Sequence, residues 1–183
     1  MYAPHGPDDS PEQVTVVTTY LEMFQPPAAL PPEAPPDSRV EQVYEPLVSF
    51  YRYLYDTVGG PWLWIDRRRM SDEALDAIIR DPGVEIYLLS VRGQPAGFCE
   101  LDCRNPTEVE LAYFGLIPEF IGRGLGPYLL RYAIDRAWRT QPGRVWVHTC
   151  SLDHPKALET YRRAGFAIYH TESASEEKPT PAT

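Results

Sequence analysis

No stretch of this 183-residue chain approaches the run of about 20 apolar residues that a bilayer-spanning helix needs. Its first residues are proline-rich and acidic, with no basic segment leading into an apolar one, so no secretory signal is expected. Cysteine is scarce. Cys99, Cys103 and Cys150 are odd in number and lack metal-ligand spacing, which argues against a secreted disulfide framework. Histidines and cysteines are too dispersed for a zinc site, so no metal is expected. Positive charge is in deficit: 17 Lys and Arg face 26 Asp and Glu, for a net charge of −9. That balance argues against nucleic acid or an anionic membrane as a partner and suits a cationic substrate. A cytoplasmic location is the default expectation, and no internal repeat is present.

What the chain does contain suits one globular domain: 43% hydrophobic and 12% aromatic residues over a length sufficient for a single core. Residues 1–12 read as a flexible leader and 173–183 as a small, charged, disordered tail, which leaves 13–172 as the domain. Val14–Met23 is rich in β-branched residues and reads as the first strand. Six prolines between Gln25 and Ser38 make 25–38 an extended loop. From Glu41 to Val58, Val43, Leu47, Phe50, Leu54 and Val58 recur at helical spacing. Ser71 can cap a second helix that Asp81-Pro82-Gly83 ends. Glu85–Arg92 and Pro95–Asp102 form two strands joined at a Gly93-Gln94 hairpin. Val109–Leu116 and Arg144–Thr149 are further strands, Leu125–Trp138 and Pro155–Ala164 helices, and Phe166–Glu172 the closing strand.

The organising stretch is Leu116–Tyr128. Gly122, Gly124 and Gly126 sit where a strand ends and a helix begins. Amides there are unpaired and aimed along the helix axis, and absent side chains let an anion approach, so a polyphosphate is the expected occupant. Pro127 tolerates the first turn because it has no N–H bond to lose. A P-loop would need a lysine after the glycines, and a dinucleotide fingerprint would need glycine where Pro127 stands.

What remains, Ile121-Gly122-Arg123-Gly124-Leu125-Gly126, resembles the Arg/Gln-x-x-Gly-x-Gly loop of the GNAT acetyltransferase superfamily, with Ile121 departing from its first position. His154-Pro-Lys-Ala-Leu-Glu-Thr-Tyr161-Arg-Arg-Ala-Gly165-Phe166 is similar to that family's Asn-x-x-Ala-x-x-x-Tyr-x-x-x-Gly-Phe, with His154 in place of Asn. The resemblance implies a single-domain α+β fold, a mixed and mostly antiparallel sheet flanked by helices. It implies acetyl-CoA as co-substrate, its pantetheine along the Leu116 and Ile117 backbone and its pyrophosphate on the amides of Gly122, Arg123, Gly124, Leu125 and Gly126, with His154 nearby. The implied activity is transfer of an acetyl group to a primary amine (a small molecule, a protein lysine or an N-terminus) by direct attack. Strand exchange through the last strands is common in that family, so the resemblance leaves a homodimer open.

That reaction needs a base for the ammonium, a donor for the oxyanion and an acid for the leaving thiolate. Glu110 is the candidate base. It lies fourteen residues before Gly124, the offset of the catalytic glutamate in the histone-acetylating branch of the family. The competing account is a strand-edge glutamate facing water, since alternation does not say which face it takes. Glu100 and Asp102 on the preceding strand are rivals. Tyr161, on the motif tyrosine, is the candidate acid; otherwise it is a packed helix aromatic. Trp62, Trp64 and Tyr113 could line an acceptor pocket. His148 in a strand reads as structural before it reads as a proton carrier, and Cys150 as an acyl-accepting nucleophile would need an activating histidine, where His148 stands only two residues away on the same strand face. Two other classes stand beside the enzyme: a non-catalytic acyl-CoA-binding or sensing module on the same fold, and an interaction protein built on the proline-rich segment.

Overall fold

A computed structural model of the protein describes residues 13–177. Its strands are β1 (Gln13–Met23), β2 (Ser38–Gln42), β3 (Val84–Val91), β4 (Gln94–Asp102), β5 (Glu108–Leu116), β6 (Arg144–Cys150) and β7 (Ala167–Glu177). The helices are α1 (Val48–Gly59), α2 (Asp72–Ile79), α3 (Leu125–Ala137) and α4 (Ala157–Arg163). The strands form a single sheet in the order β2-β3-β4-β5-β6-β1-β7. Neighbours are antiparallel except β5 and β6, which run parallel. This is the mixed, mostly antiparallel α+β architecture expected from the sequence. None of the described helices is long and apolar enough to cross a membrane.

Two clusters of buried side chains cover the two faces. On one, α1 and α2 bring Tyr51, Leu54, Tyr55, Val58, Leu75 and Ile79 onto Ile86 and Phe98. On the other, the apolar stripe of α3 (Leu125, Leu129, Leu130, Ala133, Ile134, Ala137) packs with Tyr161 of α4 against Leu101, Leu111, Val145 and Val147. The alternation of Val109 and Leu111 with Glu110, and of Val145 and Val147 with Trp146 and His148, puts the apolar members under α3. The polar and aromatic ones therefore face the side of α1.

Two boundaries depart from the sequence-based expectation, and the sheet gives β1 neighbours that its local sequence did not assign. The helix expected from Glu41 begins at Val48, and residues 38–42 form β2 instead. Pro46 disfavours helical geometry at Glu45, which takes φ 49°, and the apolar spacing at Val43 serves packing beneath α1 rather than a helix. β1 does not sit beside β2; it inserts between β6 and β7, pairing Thr18 with Cys150 and Tyr20 with His148 on one side and Tyr20 with His170 on the other. The last strand continues past Glu172 to Glu177, where residues 173–177 pair with Gln13–Val17, so the expected tail is strand over that span. Residues 1–12 and 178–183, expected as leader and tail end, lie outside the described residues.

Leu21 of β1 is fully buried in the α3-side cluster. Leu21→Ala should lower unfolding stability by about 2–5 kcal/mol, the range for a buried leucine whose site cannot collapse, as read by urea denaturation.

Candidate active site

The site grows from the way β5 and β6 part. They pair over three residues, Glu108 with Arg144, Val109 with Val145 and Glu110 with Trp146. Beyond Glu110, β5 bulges at Ala112: Leu111 still opposes Leu101 on β4, whereas Tyr113 opposes Glu100. The two strands then separate, and a cavity of about 640 Å³ opens between them. Its walls include Gly122, Gly124, Gly126 and Pro127, with Lys156 and Tyr161, and His154 lies between these and Trp62. Tyr55, Trp62, Trp64, Tyr113 and His148 also line it, with Val16 and Thr18 of β1.

The glycine end is an amide cradle. Gly122 and Gly124 adopt φ +84° and +76°, and a Cβ at either would meet nothing within 4 Å. Their conformation, not crowding, calls for glycine. The amides from Gly122 to Gly126 donate to no carbonyl among the described residues, whereas the preceding Phe120 and Ile121 amides are committed to Ile117 and Pro118. Those donors at the start of the 13-residue α3 suit a polyphosphate. The Arg123 guanidinium lies 5.0 Å over the Phe120 ring, so its charge is held beside the loop. Leu125 contributes its backbone, its side chain being core. Leu116 lines the cavity; Ile117 buries its side chain on the α1 side and spends its amide on Ala96 at 2.9 Å.

The aromatic end is tightly tied. Trp64 stands over Gly59, where a Cβ would come within 2.3 Å of the indole. Its Nε1 donates to Asp153 at 3.1 Å, which links the segment after α1 to the loop after β6 across the cavity. Asp153 also accepts from the Thr149 hydroxyl and the Cys150 amide, which fixes that loop. Trp62 packs edge-on against His154, ring centroids 4.8 Å apart. Tyr113 stacks beside Tyr55 and Trp64 beneath the Arg67 guanidinium.

The carboxylates sort by what faces them. Glu100 is almost wholly buried, bonded to Arg67 at 2.6 Å and to the Tyr51 hydroxyl. Burial pushes its carboxyl up, and Arg67 and Tyr51 pull it back. Asp102 is clamped by Arg104, whose hydrogen bonds hold its carboxyl below the usual range. Both rivals to Glu110 are thus committed to structural partners. Glu110 faces the α1 side, 22% exposed, with Oε1 3.3 Å from His148 Nδ1. It does not itself line the cavity, whereas His148 does. That carboxylate, more than any other group, holds the His148 imidazole above its ordinary value. Tyr161 lines the cavity from α4, flanked by Phe114 and Phe166, and burial pushes its hydroxyl up. Among the described residues no group of three or more His, Cys, Asp and Glu is placed to hold a metal.

Sequence reasoning passed over Thr18 and Val16, because nothing local in β1 says which strands it joins. It also passed over Asp153, whose three bonds appear only once the loop closes, and it ranked His148 as structural because its partner lies 38 positions away in sequence.

Together these features define a class of α+β protein whose sheet parts along a parallel pair beside a glycine-rich loop at the start of a helix. The chain belongs to the acetyltransferase (GNAT) family, whose model matches residues 47–166, more than half of its length. It is 32% identical to an uncharacterized N-acetyltransferase of Methanocaldococcus jannaschii over 44% of this chain and 38% of that relative. It is 37% identical to a streptothricin acetyltransferase of Streptomyces lavendulae over 31% of this chain and 30% of the relative. The chain thus spans well under half the length of these curated relatives. Among solved structures, a GCN5-related N-acetyltransferase from Sphaerobacter thermophilus superposes with TM-score 0.65 at 20% identity, covering 90% of this chain and 51% of that one, a likeness of fold.

Glu100→Ala would leave the Arg67 guanidinium buried without its counter-ion, and Arg67 Nε already lacks a partner among the described residues. We expect a loss of about 3–5 kcal/mol in chemical denaturation, which would mark this glutamate as a structural group.

Proposed function

We propose that this chain is an acetyl-CoA-dependent N-acetyltransferase that moves an acetyl group to a primary amine by direct attack with general-base assistance, in the cytoplasm. The observation that carries the reading is the continuity of the cavity. One space runs from an amide cradle suited to a pyrophosphate, through the gap between β5 and β6, to an aromatic wall beside a carboxylate–imidazole contact. Family membership supplies the co-substrate, which brings a thioester open to attack.

In this reading the amides of Gly122, Arg123, Gly124, Leu125 and Gly126 hold the pyrophosphate. The backbone of Leu116 and Ile117 guides the pantetheine arm, and His154 borders it. Tyr161 gives a proton to the leaving thiolate. Glu110 drives removal of the amine proton, and Trp62, Trp64 and Tyr113 shape the acceptor site. The bond from Trp64 to Asp153 ties the segment after α1 to the loop after β6 around that site, an enclosure that suits a small-molecule amine better than a protein lysine or N-terminus. A relative named for acetylation of streptothricin supports the same choice.

The test is thiol release from acetyl-CoA against a panel of small amines, lysine peptides and protein N-termini. Wild type should turn over with one acceptor class, and Glu110→Gln should lower kcat, by at most the roughly 10²–10⁴ that proton removal by a positioned base contributes. Coenzyme A binding without release from any acceptor would instead favour a non-catalytic acyl-CoA-binding module. Gly126 is open on the cavity side, the nearest neighbour to an added Cβ being Leu116 at 3.8 Å. Gly126→Val should therefore crowd the cradle and raise the KM for acetyl-CoA about tenfold, equivalent to losing one amide–phosphate hydrogen bond, while the KM for the amine stays near its wild-type value.

A further inference from the structure

We infer that His148 is the group that takes the proton from the attacking amine, and that Glu110 acts behind it as a positioning residue, the two forming a carboxylate–imidazole pair in the gap between β5 and β6. This rests on the acetyl transfer proposed above.

The geometry separates the two roles. Glu110 is the last residue of β5 paired to β6, opposite Trp146, and its carboxylate stops short of the cavity wall. His148 lies two residues further along β6, on the same face and beyond the last rung. Its side chain is 44% exposed and lines the cavity that the glycine cradle also lines. A carboxylate only accepts, so the 3.3 Å contact with Oε1 fixes the imidazole proton on Nδ1. Nε2 then carries the lone pair, and it has no hydrogen-bond partner among the described residues. The other groups around the ring agree in sign. Asp153 from the loop after β6 and Asp66 from the segment after α1 both favour the imidazolium. Tyr20 on β1 packs its ring 5.8 Å away while its hydroxyl donates to Glu172 on β7, and His170 of β7 lies on the far side of Tyr20. Trp146 packs 6.1 Å away along β6 itself.

An imidazole in this setting suits the step better than a carboxylate set back from the cavity, because imidazole as a group changes charge in the range where an amine proton must be taken up, and the His148 ring itself lines the cavity. The amine enters as an ammonium ion and gives one proton to Nε2. The freed lone pair forms the C–N bond at the acetyl carbon, and the C–S bond breaks with its electron pair going to sulfur. The nitrogen's second proton is lost as the thiolate leaves, and balances the proton that the thiolate takes up through Tyr161. The products are amide, thiol and the one proton carried on His148, which Glu110 stabilises until solvent removes it.

The experiment is the pH dependence of kcat at saturating amine and acetyl-CoA for wild type, His148→Gln, Glu110→Gln and the double variant. Wild type should show a limb that rises with pH as Nε2 loses its proton. His148→Gln should lose that limb and about a hundredfold or more in kcat, with the KM for the amine changed little. Glu110→Gln should keep the limb but move it to lower pH, since the carboxylate that favours the imidazolium is gone, and lower the plateau. The double variant should be no slower than His148→Gln, because the two residues act as one unit. Nitrogen NMR of the folded protein should find His148 protonated on Nδ1. The inference is overturned by His148→Gln retaining kcat within about twofold, by losses that multiply in the double variant, or by the Nε2-protonated tautomer. Failure of wild type to release thiol with any amine overturns the transferase reading itself, whereas wild-type turnover undiminished in His148→Gln overturns the pair alone.

Discussion

Three rungs of parallel pairing hold β5 beside β6, and the position at which they stop decides where everything else in the site can be. Up to Glu110 the two strands satisfy each other's backbone; beyond it, each presents groups that the other no longer meets. Had the pairing continued in the same register, Phe114 and Cys150 would be partners and the cavity between the strands would not exist. The bulge at Ala112 contributes to the parting, because it turns β5 while keeping it on β4. The closed end is clamped by charge. Arg144 reaches Glu108 on β5 at 2.6 Å and Glu22 on β1 at 2.9 Å, so one guanidinium ties the three strands where they are still together. These groups are partly exposed, and the clamp contributes more to register than to stability.

A sheet joined by so few rungs would hinge unless something else held its halves, and the helices supply that. The α3 stripe spans residues of both halves, Leu101 and Leu111 on one side of the gap and Val145 and Val147 on the other. Dispersion and burial under α3 therefore replace the missing hydrogen bonds as the link between halves. This leaves the opposite face of β6 and β1 to display Trp146, His148 and Tyr20. β1 matters to the site for the same reason: lying between β6 and β7, it stiffens β6 from the side that β5 has left, and it brings Thr18 to the cavity wall.

The parts of this arrangement that could be read from sequence are those encoded locally. The glycine loop, the start of α3 and the α4 motif each lie within about a dozen consecutive residues; their spacing places amides and stripe, and the family motif they resemble points to the tyrosine. The parts that could not be read depend on pairing across the chain. Ser173 to Glu177 are small and polar, which describes a tail as well as an edge strand, because an edge strand exposed on its faces needs no apolar alternation. Residues 38–42 are short and charged, and become strand only because β3 is beside them. Glu100 and Glu110 occupy equivalent-looking places in adjacent strands; nothing near either in sequence announces that one meets Arg67 and the other His148.

That last contrast carries the chemical argument. Three acidic residues project from β4 and β5 toward the α1 side, and their surroundings separate them completely. Glu100 is buried against a guanidinium and a phenol, Asp102 is held in a fork by its near neighbour Arg104, and Glu110 faces an imidazole. An arginine partner stays charged at any working pH, so neither of the first two pairs has a basic member that can take up and release a proton there. A histidine partner changes charge near neutrality, so the third pair can hold a proton in transit. The same side-chain type on the same face of neighbouring strands thus becomes scaffold or machinery according to the titration range of the group across from it, and the split between β5 and β6 is what brings the titratable one to the cavity.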